Sequence, residues 1–351
     1  MSQFNVEFFD RQLNYVHHDI IDDDFEIDND FLSPNTSEIR IKKTDKVLVP
    51  GFIHLGGDFI FDGMVDSVSQ EEDETVVTIK PLICLFDSNV TINAALQKTS
   101  NVLETYIRDR ILSFWGSSCD DTLQRLPITV ATVSSTTNWT LDLKPRKDDG
   151  VRNWNIANML NDVICPAFER YGIVVNGNIN FSTGVIAFTV GKNNDYMIID
   201  ADNPMIKITE FVGNKMDGEV NKLYLLDNDE YGNIITYYLH PNGTYNTTNS
   251  NRITPVVFDM VDVTYGNDSS FAASAADQAD SVFGKVKYKN YVEFETQLND
   301  QLVKPYEIKI GSKATIYHDG SKVNTMLTGI KYGEYATLTF GTVRFDYTKR
   351  R

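Results

Sequence analysis

Two stretches at opposite ends of this sequence share one layout, and any fold for the chain has to accommodate both. Glu38-Ile39-Arg40-Ile41 near the start is matched by Glu307-Ile308-Lys309-Ile310 near the end. Each is followed by a strand-turn-strand run, Lys46 to Phe61 in one and Lys313 to Leu327 in the other. Each run leads into a glycine, in Asp62-Gly63-Met64-Val65 and in Thr328-Gly329-Ile330-Lys331. Both then turn into a run ending in an aromatic and an aspartate, Thr75 to Phe86-Asp87 and Tyr335 to Phe345-Asp346. The spacings differ by a few residues, which loops absorb at small entropic cost. Generic alternation around a glycine turn also produces such a match. Duplication is the reading that commits to more: one strand order in both units, with Gly63 and Gly329 in equivalent places.

The patterning between these ends is uneven. From Phe4 to about Asp87 apolar residues recur with period two, and Thr75-Val76-Val77-Thr78-Ile79 is rich in β-branched residues, with turn signals at Pro34-Asn35, Pro50-Gly51 and Gly56-Gly57. This predicts a compact barrel or sandwich. From about Thr91 the interval lengthens to three and four residues through Ile92, Ala95, Leu96, Val102, Leu103, Tyr106, Ile107, Ile111 and Leu112, which predicts a helix. Leu126 to Leu143 returns to strand. Asn155 to Tyr171 reads as a second amphipathic helix stopping near Gly172, and Asn176-Gly177 between strand-like runs predicts a hairpin turn. Strands resume from about Met205, through Lys222 to Leu226 and Ile234 to Leu239. An Ala-rich helix over Ser269 to Phe283 follows, with a possible helical continuation to Leu302, and Tyr306 to Tyr347 is strand again. A chain of 351 residues exceeds one core of ordinary size. The fold class expected is therefore α+β and β-rich, with two tube-like β-barrels related by internal duplication and an inserted α+β unit. The boundaries expected are 1–90 for the first barrel, 91–204 for the insert and 205–351 for the second barrel, which carries a helical excursion near 269–302.

The chemistry that the sequence offers is sparse. A net charge of −17 argues against binding nucleic acid by attraction, which needs clustered Lys and Arg. Cys84, Cys119 and Cys165 are odd in number and far apart, which fits reduced thiols packed as small hydrophobes. Residues Met1 to Asp10 carry no basic segment followed by an apolar run, and no eighteen apolar residues run together, so synthesis in a cytoplasm without stable membrane insertion is expected. His17-His18 is the only close histidine pair, and neighbours in a strand face opposite ways. His54, His240 and His318 are isolated, the last two beside turns where a solvated side chain is the default. The acidic run Asp22 to Asp30 lacks the glycine and distal glutamate of a calcium loop, and its alternation around Phe25 and Ile27 predicts a strand with one acidic face. No nucleophile elbow or phosphate-binding glycine loop is present. The expectation is no catalytic, cofactor-binding or metal-binding residue. A glycosidase pair is not removed by counting, since two carboxylates about 5 to 10 Å apart suffice. A carbohydrate-binding module is a further alternative, which would show solvent-exposed Trp or Tyr in a groove; Trp115, Trp139 and Trp154 lie in or beside the insert and fit a core place equally well.

The succession of a β-rich head, an α+β insert and a second β unit resembles the baseplate hub proteins of contractile phages and the N-terminal part of siphophage tail-associated proteins, including prophage tail proteins. Local wording is similar as well: Gly63-Met64-Val65-Asp66-Ser67-Val68 before a strand ending Pro81 to Asp87, Asn221-Lys222-Leu223-Tyr224 followed by Tyr237-Tyr238-Leu239, and then Asn251 to Val256. The resemblance implies a structural hub at the virion tail tip, assembled in the host bacterial cytoplasm, in which a homotrimer sets six barrels in a ring that continues the tail tube. The partners implied are a distal tail protein ring above, the C-terminus of the tape-measure protein, a tail fibre or receptor-binding protein below, and DNA that passes without sequence-specific binding. Some relatives extend into peptidoglycan-cleaving domains. Ending at Tyr347 to Arg351 just past the second β unit, this chain is expected to lack them.

Overall fold

The computed structural model describes residues 3–22, 25–57, 60–92, 100–137, 139, 141, 155–216, 220–229, 232–240, 244–265, 270–283, 288–298 and 300–341. Strand accounts for 49% and helix for 15%, so the protein is the β-rich α+β fold that the alternation implies.

The first strands are β1 (Gln3–Asp10), β2 (Tyr15–Asp22), β3 (Ile27–Asp30), β4 (Ser37–Lys42), β5 (Gly51–Gly56), β6 (Ile60–Gln70) and β7 (Glu74–Pro81). Six of them form one antiparallel sheet in the order β2-β1-β5-β6-β7-β4. Its two faces follow from period two: β4 buries Ser37, Ile39 and Ile41 and exposes Glu38, Arg40 and Lys42. Val6, Phe8, Ile53, Leu55, Val77 and Ile79 fill the interior. The edge strands β2 and β4 meet through a side chain. The buried Asp19 carboxylate accepts the Ile20 N–H at 2.8 Å and the Lys42 N–H at 2.7 Å, bridging the seam of the curled sheet.

A 3-10 turn over Leu82–Phe86 leads into the insert, which holds β8 (Asn89–Ile92), α1 (Leu103–Phe114), β9 (Ile128–Thr132), β10 (Asn155–Asn158), a π turn over Met159–Ile164, α2 (Cys165–Tyr171), β11 (Ile173–Asn180) and β12 (Val185–Lys192). Helix α2 ends where Gly172 takes up a left-handed φ of 68°. The three-stranded sheet β11-β12-β9 packs on α1, and Phe168 and Phe188 carry the core outward to Phe31 and Phe86 at ring distances of 4.8 and 4.9 Å.

Next come β13 (Tyr196–Asp200), β14 (Lys207–Met216), β15 (Lys222–Asp227), β16 (Ile234–Leu239), β17 (Tyr245–Asn246), β18 (Phe258–Val263), α3 (Phe271–Phe283), β19 (Tyr288–Gln297), β20 (Lys313–His318), β21 (Ser321–Tyr332) and β22 (Tyr335–Phe340). The second large sheet runs β13-β20-β21-β22-β19-β14. A seventh strand joins it from the far end of the chain: β3 pairs with β21, Asp30 opposite Gly329 and Ile27 opposite Tyr332. The satellite sheet β17-β16-β15-β18 lies between β14 and β19 in sequence, and α3 covers one of its faces.

The two large sheets share an order. In both, a meander of three strands (β5-β6-β7 and β20-β21-β22) is flanked by the strand that precedes it in sequence, β4 or β19. On the other side β5 and β20 are flanked by β1 and β13, so five strands share one order, and the sixth joins at opposite ends, β2 beside β1 and β14 beside β19. The sheets differ in direction and pairing as well. Strand β13 runs parallel to β20, whereas β1 is antiparallel to β5. Strand β14 is hydrogen-bonded to β19, whereas β2 pairs with β1 and reaches β4 through Asp19.

Several expectations are corrected. Glu307 to Ile310 forms turns, and the partner of β4 in the second copy is β19, where a helical continuation toward Leu302 was expected. There Val292, Phe294 and Thr296 are buried and alternate with more exposed neighbours, and a period of two fixes a strand. Gly63 and Gly329 are not equivalent: Gly63 precedes the bulge of β6 between Val65 and Ser67, and Gly329 follows the bulge of β21 between Leu327 and Gly329. Asn176-Gly177 does not turn. It lies inside β11, because the Phe188 ring sits where a side chain at 177 would be, 2.4 Å from an added Cβ, and the turn falls at 181–184. Of the helix expected over 155–171 only Cys165–Tyr171 is α, since β10 pairs with β8. Thr91 and Ile92 end β8 and α1 begins at Leu103, while Ala95 and Leu96 lie outside the described residues. Of the strand expected over 126–143, the described residues hold β9, while 138, 140, 142 and 143 lie outside them.

Candidate assembly surfaces

The side chains with the most organised polar geometry hold one unit against another. On β5 and β6, His54 Nδ1 and Asp62 Oδ1 are 2.7 Å apart, and the second oxygen of Asp62 accepts the Ile179 N–H of β11 at 2.8 Å. Phe181 at the tip of the β11–β12 hairpin sits 4.8 Å from the His54 ring and 5.0 Å from Phe9. The hydrogen bond to Asp62 raises the pKa of His54 above its ordinary value against the opposing effect of burial. This joint fixes the insert on the first barrel. A second joint ties the satellite unit to α2: Asp280 of α3 receives the Arg170 guanidinium on one oxygen and the Tyr245 hydroxyl on the other.

The acidic run builds backbone geometry. Asp30 accepts the N–H groups of Leu32 and Ser33, both at 2.8 Å, and burial raises its pKa. Asp28 accepts the Asp30 N–H at 3.1 Å and the Asn35 amide at 2.9 Å, and Lys331 on the paired strand faces Glu26 at 3.5 Å. Asp23 and Asp24 lie outside the described residues. The sequence thus indicated a strand here but not its partner, β21.

The remaining candidates also make contacts within the chain. His17 and His18 lie on β2, His17 stacked on Phe8 and His18 at 3.1 Å from the Tyr15 hydroxyl. His240 is buried, not solvated, with ring nitrogens 3.3 Å from Asn251 O and 3.1 Å from Asn246 Oδ1. His318 pairs with Asp202 at 2.9 Å. Trp139 is core, Trp115 packs edge-on against Phe86, and Trp154 lies outside the described residues. All three cysteines are free thiols. Glu104, fully buried on α1, accepts from the Ser134 hydroxyl at 2.5 Å and from the Thr136 N–H and hydroxyl at 2.7 and 3.0 Å, which occupies both its oxygens. A cavity of about 190 Å³ between β3, β6 and β11 has one carboxylate in its lining, Asp62, already engaged with His54 and Ile179. Among the described residues, no three His, Cys, Asp or Glu side chains gather as a metal site, and no helix is long and apolar enough to cross a membrane.

What the geometry defines is a protein of two β sheets that share a five-strand order, an insert joined to the first through Asp62 and Phe181, and a satellite sheet. No family model and no curated protein matches the chain at the level of sequence. The fold recurs among solved structures. The chain is similar to the tail protein from Neisseria meningitidis MC58, with a TM-score of 0.53, 11% identity and 96% of each chain covered. It is similar to a chain of the p2 virion baseplate in its activated conformation, with a TM-score of 0.50, 11% identity, and 97% of this chain and 99% of that one covered. The 43 kDa tail protein of prophage MuSo2 from Shewanella oneidensis matches with a TM-score of 0.50 and 9% identity over 96% and 98% of the two chains. Its fold is thus that of phage baseplate and prophage tail proteins, over nearly its whole length.

Proposed function

We propose that this chain is a non-enzymatic structural component of a phage or prophage tail tip, a hub whose homotrimer forms a ring that continues the tail tube. The observation that carries this reading is the five-strand order laid down twice in one chain, β1-β5-β6-β7-β4 and β13-β20-β21-β22-β19. Three copies would supply six like-ordered barrels, the number a six-fold tube above them can match, and cyclic closure leaves no contact surface unused. Residues 1–90 and 205–351 would supply the barrels, with β3 and β13 exchanged into the second, and 91–204 would lie outside or below the ring. A distal tail protein ring would dock above it and a tail fibre or receptor-binding protein below, in a particle assembled in the host cytoplasm.

The ring would gate the exit of the tape-measure protein and then of DNA. A net charge of −17 per chain supports passage without adhesion, because acidic walls repel phosphate. For Asp62 and Glu104, hydrogen bonds to Ile179 and Thr136 support a structural rather than a catalytic place. Imaging of the intact tail tip tests the reading: three copies around the axis are expected, and one, two or six would end it. Reproducible release of reducing sugar from host cell wall, abolished by a single Asp or Glu substitution, would overturn the non-enzymatic part.

A further inference from the structure

Among the described residues, the satellite sheet is covered on one side only. Ala275, Ala279 and Phe283, four residues apart on α3, press on Leu223, Leu225, Leu239 and Val263, and the small alanines let the helix lie close. The opposite face is set by register. Lys222 stands across from Tyr238 and Phe258, Tyr224 across from Thr236 and Met260, and Leu226 across from Ile234. Phe258, Met260 and Ile234 are 59, 57 and 55% exposed. Two cations lie over the tyrosines: Lys222 Nζ is 4.4 Å from the Tyr224 centroid and 5.8 Å from that of Tyr238, and Arg252 is 5.5 Å from Tyr238. Asp262, opposite Leu226 at one end of this face, is the carboxylate that register places there.

Aromatic side chains, Met and Arg with their edges in solvent are the composition of an interface centre. A partner could instead add a strand along β18, but there the Met260 N–H already donates to the Asp259 carboxylate at 2.8 Å, which blunts the edge. The face itself is the available surface. Strands about 4.8 Å apart with residues about 3.4 Å apart give it on the order of 300–400 Å². A free-standing complex needs about 800 Å² per partner. A face of this size is therefore effective between bodies that other contacts already hold together, where the local concentration is high. Copies of this chain in a ring meet that condition and have the complementary charge: each carries −17, and Lys222 and Arg252 concentrate positive charge where a neighbour's carboxylates would otherwise repel.

We propose that the uncovered face of the β17-β16-β15-β18 sheet is a contact surface for the adjacent copy of this chain. The inference rests on the ring reading above. Its test places the photoreactive p-benzoylphenylalanine at position 258 of the full chain, in a mixture of ¹⁴N- and ¹⁵N-labelled protein, with oligomer mass read by native mass spectrometry. Mixed-isotope crosslinks from position 258 are expected. Phe258→Asp should weaken association at least about ten-fold, the effect of losing one interface anchor, whereas Leu123→Asp, at a site 87% exposed elsewhere, should not. If oligomers form but position 258 links only within its own chain or not at all, this contact is wrong and the ring stands. If the isolated chain is monomeric, the same crosslink is made in assembled tail tips. A link there to a different protein overturns the contact, and one copy per tip overturns the ring with it.

Discussion

Asp62 is the residue on which the joint between the first barrel and the insert depends most directly. In Asp62→Ala two interactions go at once, the 2.7 Å link to His54 and the 2.8 Å acceptance of the Ile179 N–H. A hydrogen bond to a charged group contributes about 1.5–3 kcal/mol, and a buried N–H left without an acceptor costs about 1–3 kcal/mol. Because both sites are only partly buried, the expected loss is about 2–4 kcal/mol. The two parts differ in pH dependence. His54 has a raised pKa in the folded protein, chiefly through its bond to Asp62. Its contribution is therefore complete below the ordinary histidine pKa of about 6.5 and fades as pH rises through the folded value. The Ile179 part does not change with pH. Urea midpoints of both proteins at pH 5.5 and pH 9 should show a gap that narrows at the higher pH without closing. Hydrogen exchange should speed at the Ile179 amide and along β11 and leave β20–β22 unchanged. Parallel pH curves with unaltered exchange at Ile179 would show that the joint is held by packing around Phe181 alone.

Three further outcomes follow from single sites. Gly177→Leu drives a side chain into the Phe188 ring, and an overpacking cost of about 1–3 kcal/mol should lower the melting temperature; an unchanged value would mean that the ring moves aside freely. Asp19→Ala removes the acceptor of both seam amides, so exchange at Ile20 and Lys42 should rise while β5 and β6 stay protected, and equal protection would show that the seam does not depend on this carboxylate. The Cys84 thiol is pushed up to about 11 by burial, so about one in a thousand is thiolate at pH 8. Iodoacetamide should label it far more slowly in folded than in urea-unfolded protein by intact mass, and equal rates would show that the site is open.

The meanders were legible in the sequence because a strand buried on one face writes its period into a few residues, as Ile39 and Ile41 do between Glu38, Arg40 and Lys42. The α3 helix was legible for the same reason, its alanines recurring at four-residue intervals. What depended on distant partners was not. Gly177 has the chemistry of a turn and is held straight by a phenylalanine on the next strand. Asp19 looks like one acid among many until curvature brings Lys42 to it. Glu307 to Ile310 alternates as a strand does, yet no sheet edge receives it, whereas Tyr288–Gln297 gains a neighbour on each side. His54 carries no mark in the sequence, because its partner Asp62 is eight residues away and reaches it only through the pairing of β5 with β6.

The pairing of β3 with β21 also bears on when the molecule can be completed during synthesis. Asp30 emerges from the ribosome about 300 residues before its partner Gly329, an interval of roughly 15–60 s at about 5–20 residues per second. Throughout that time the strand that will finish the second sheet has nothing to bind, although the six strands around it can already close on one another. A chain cut short between β7 and β21 would therefore hold every strand of the first sheet and yet leave β3 without the neighbour it is shaped to join.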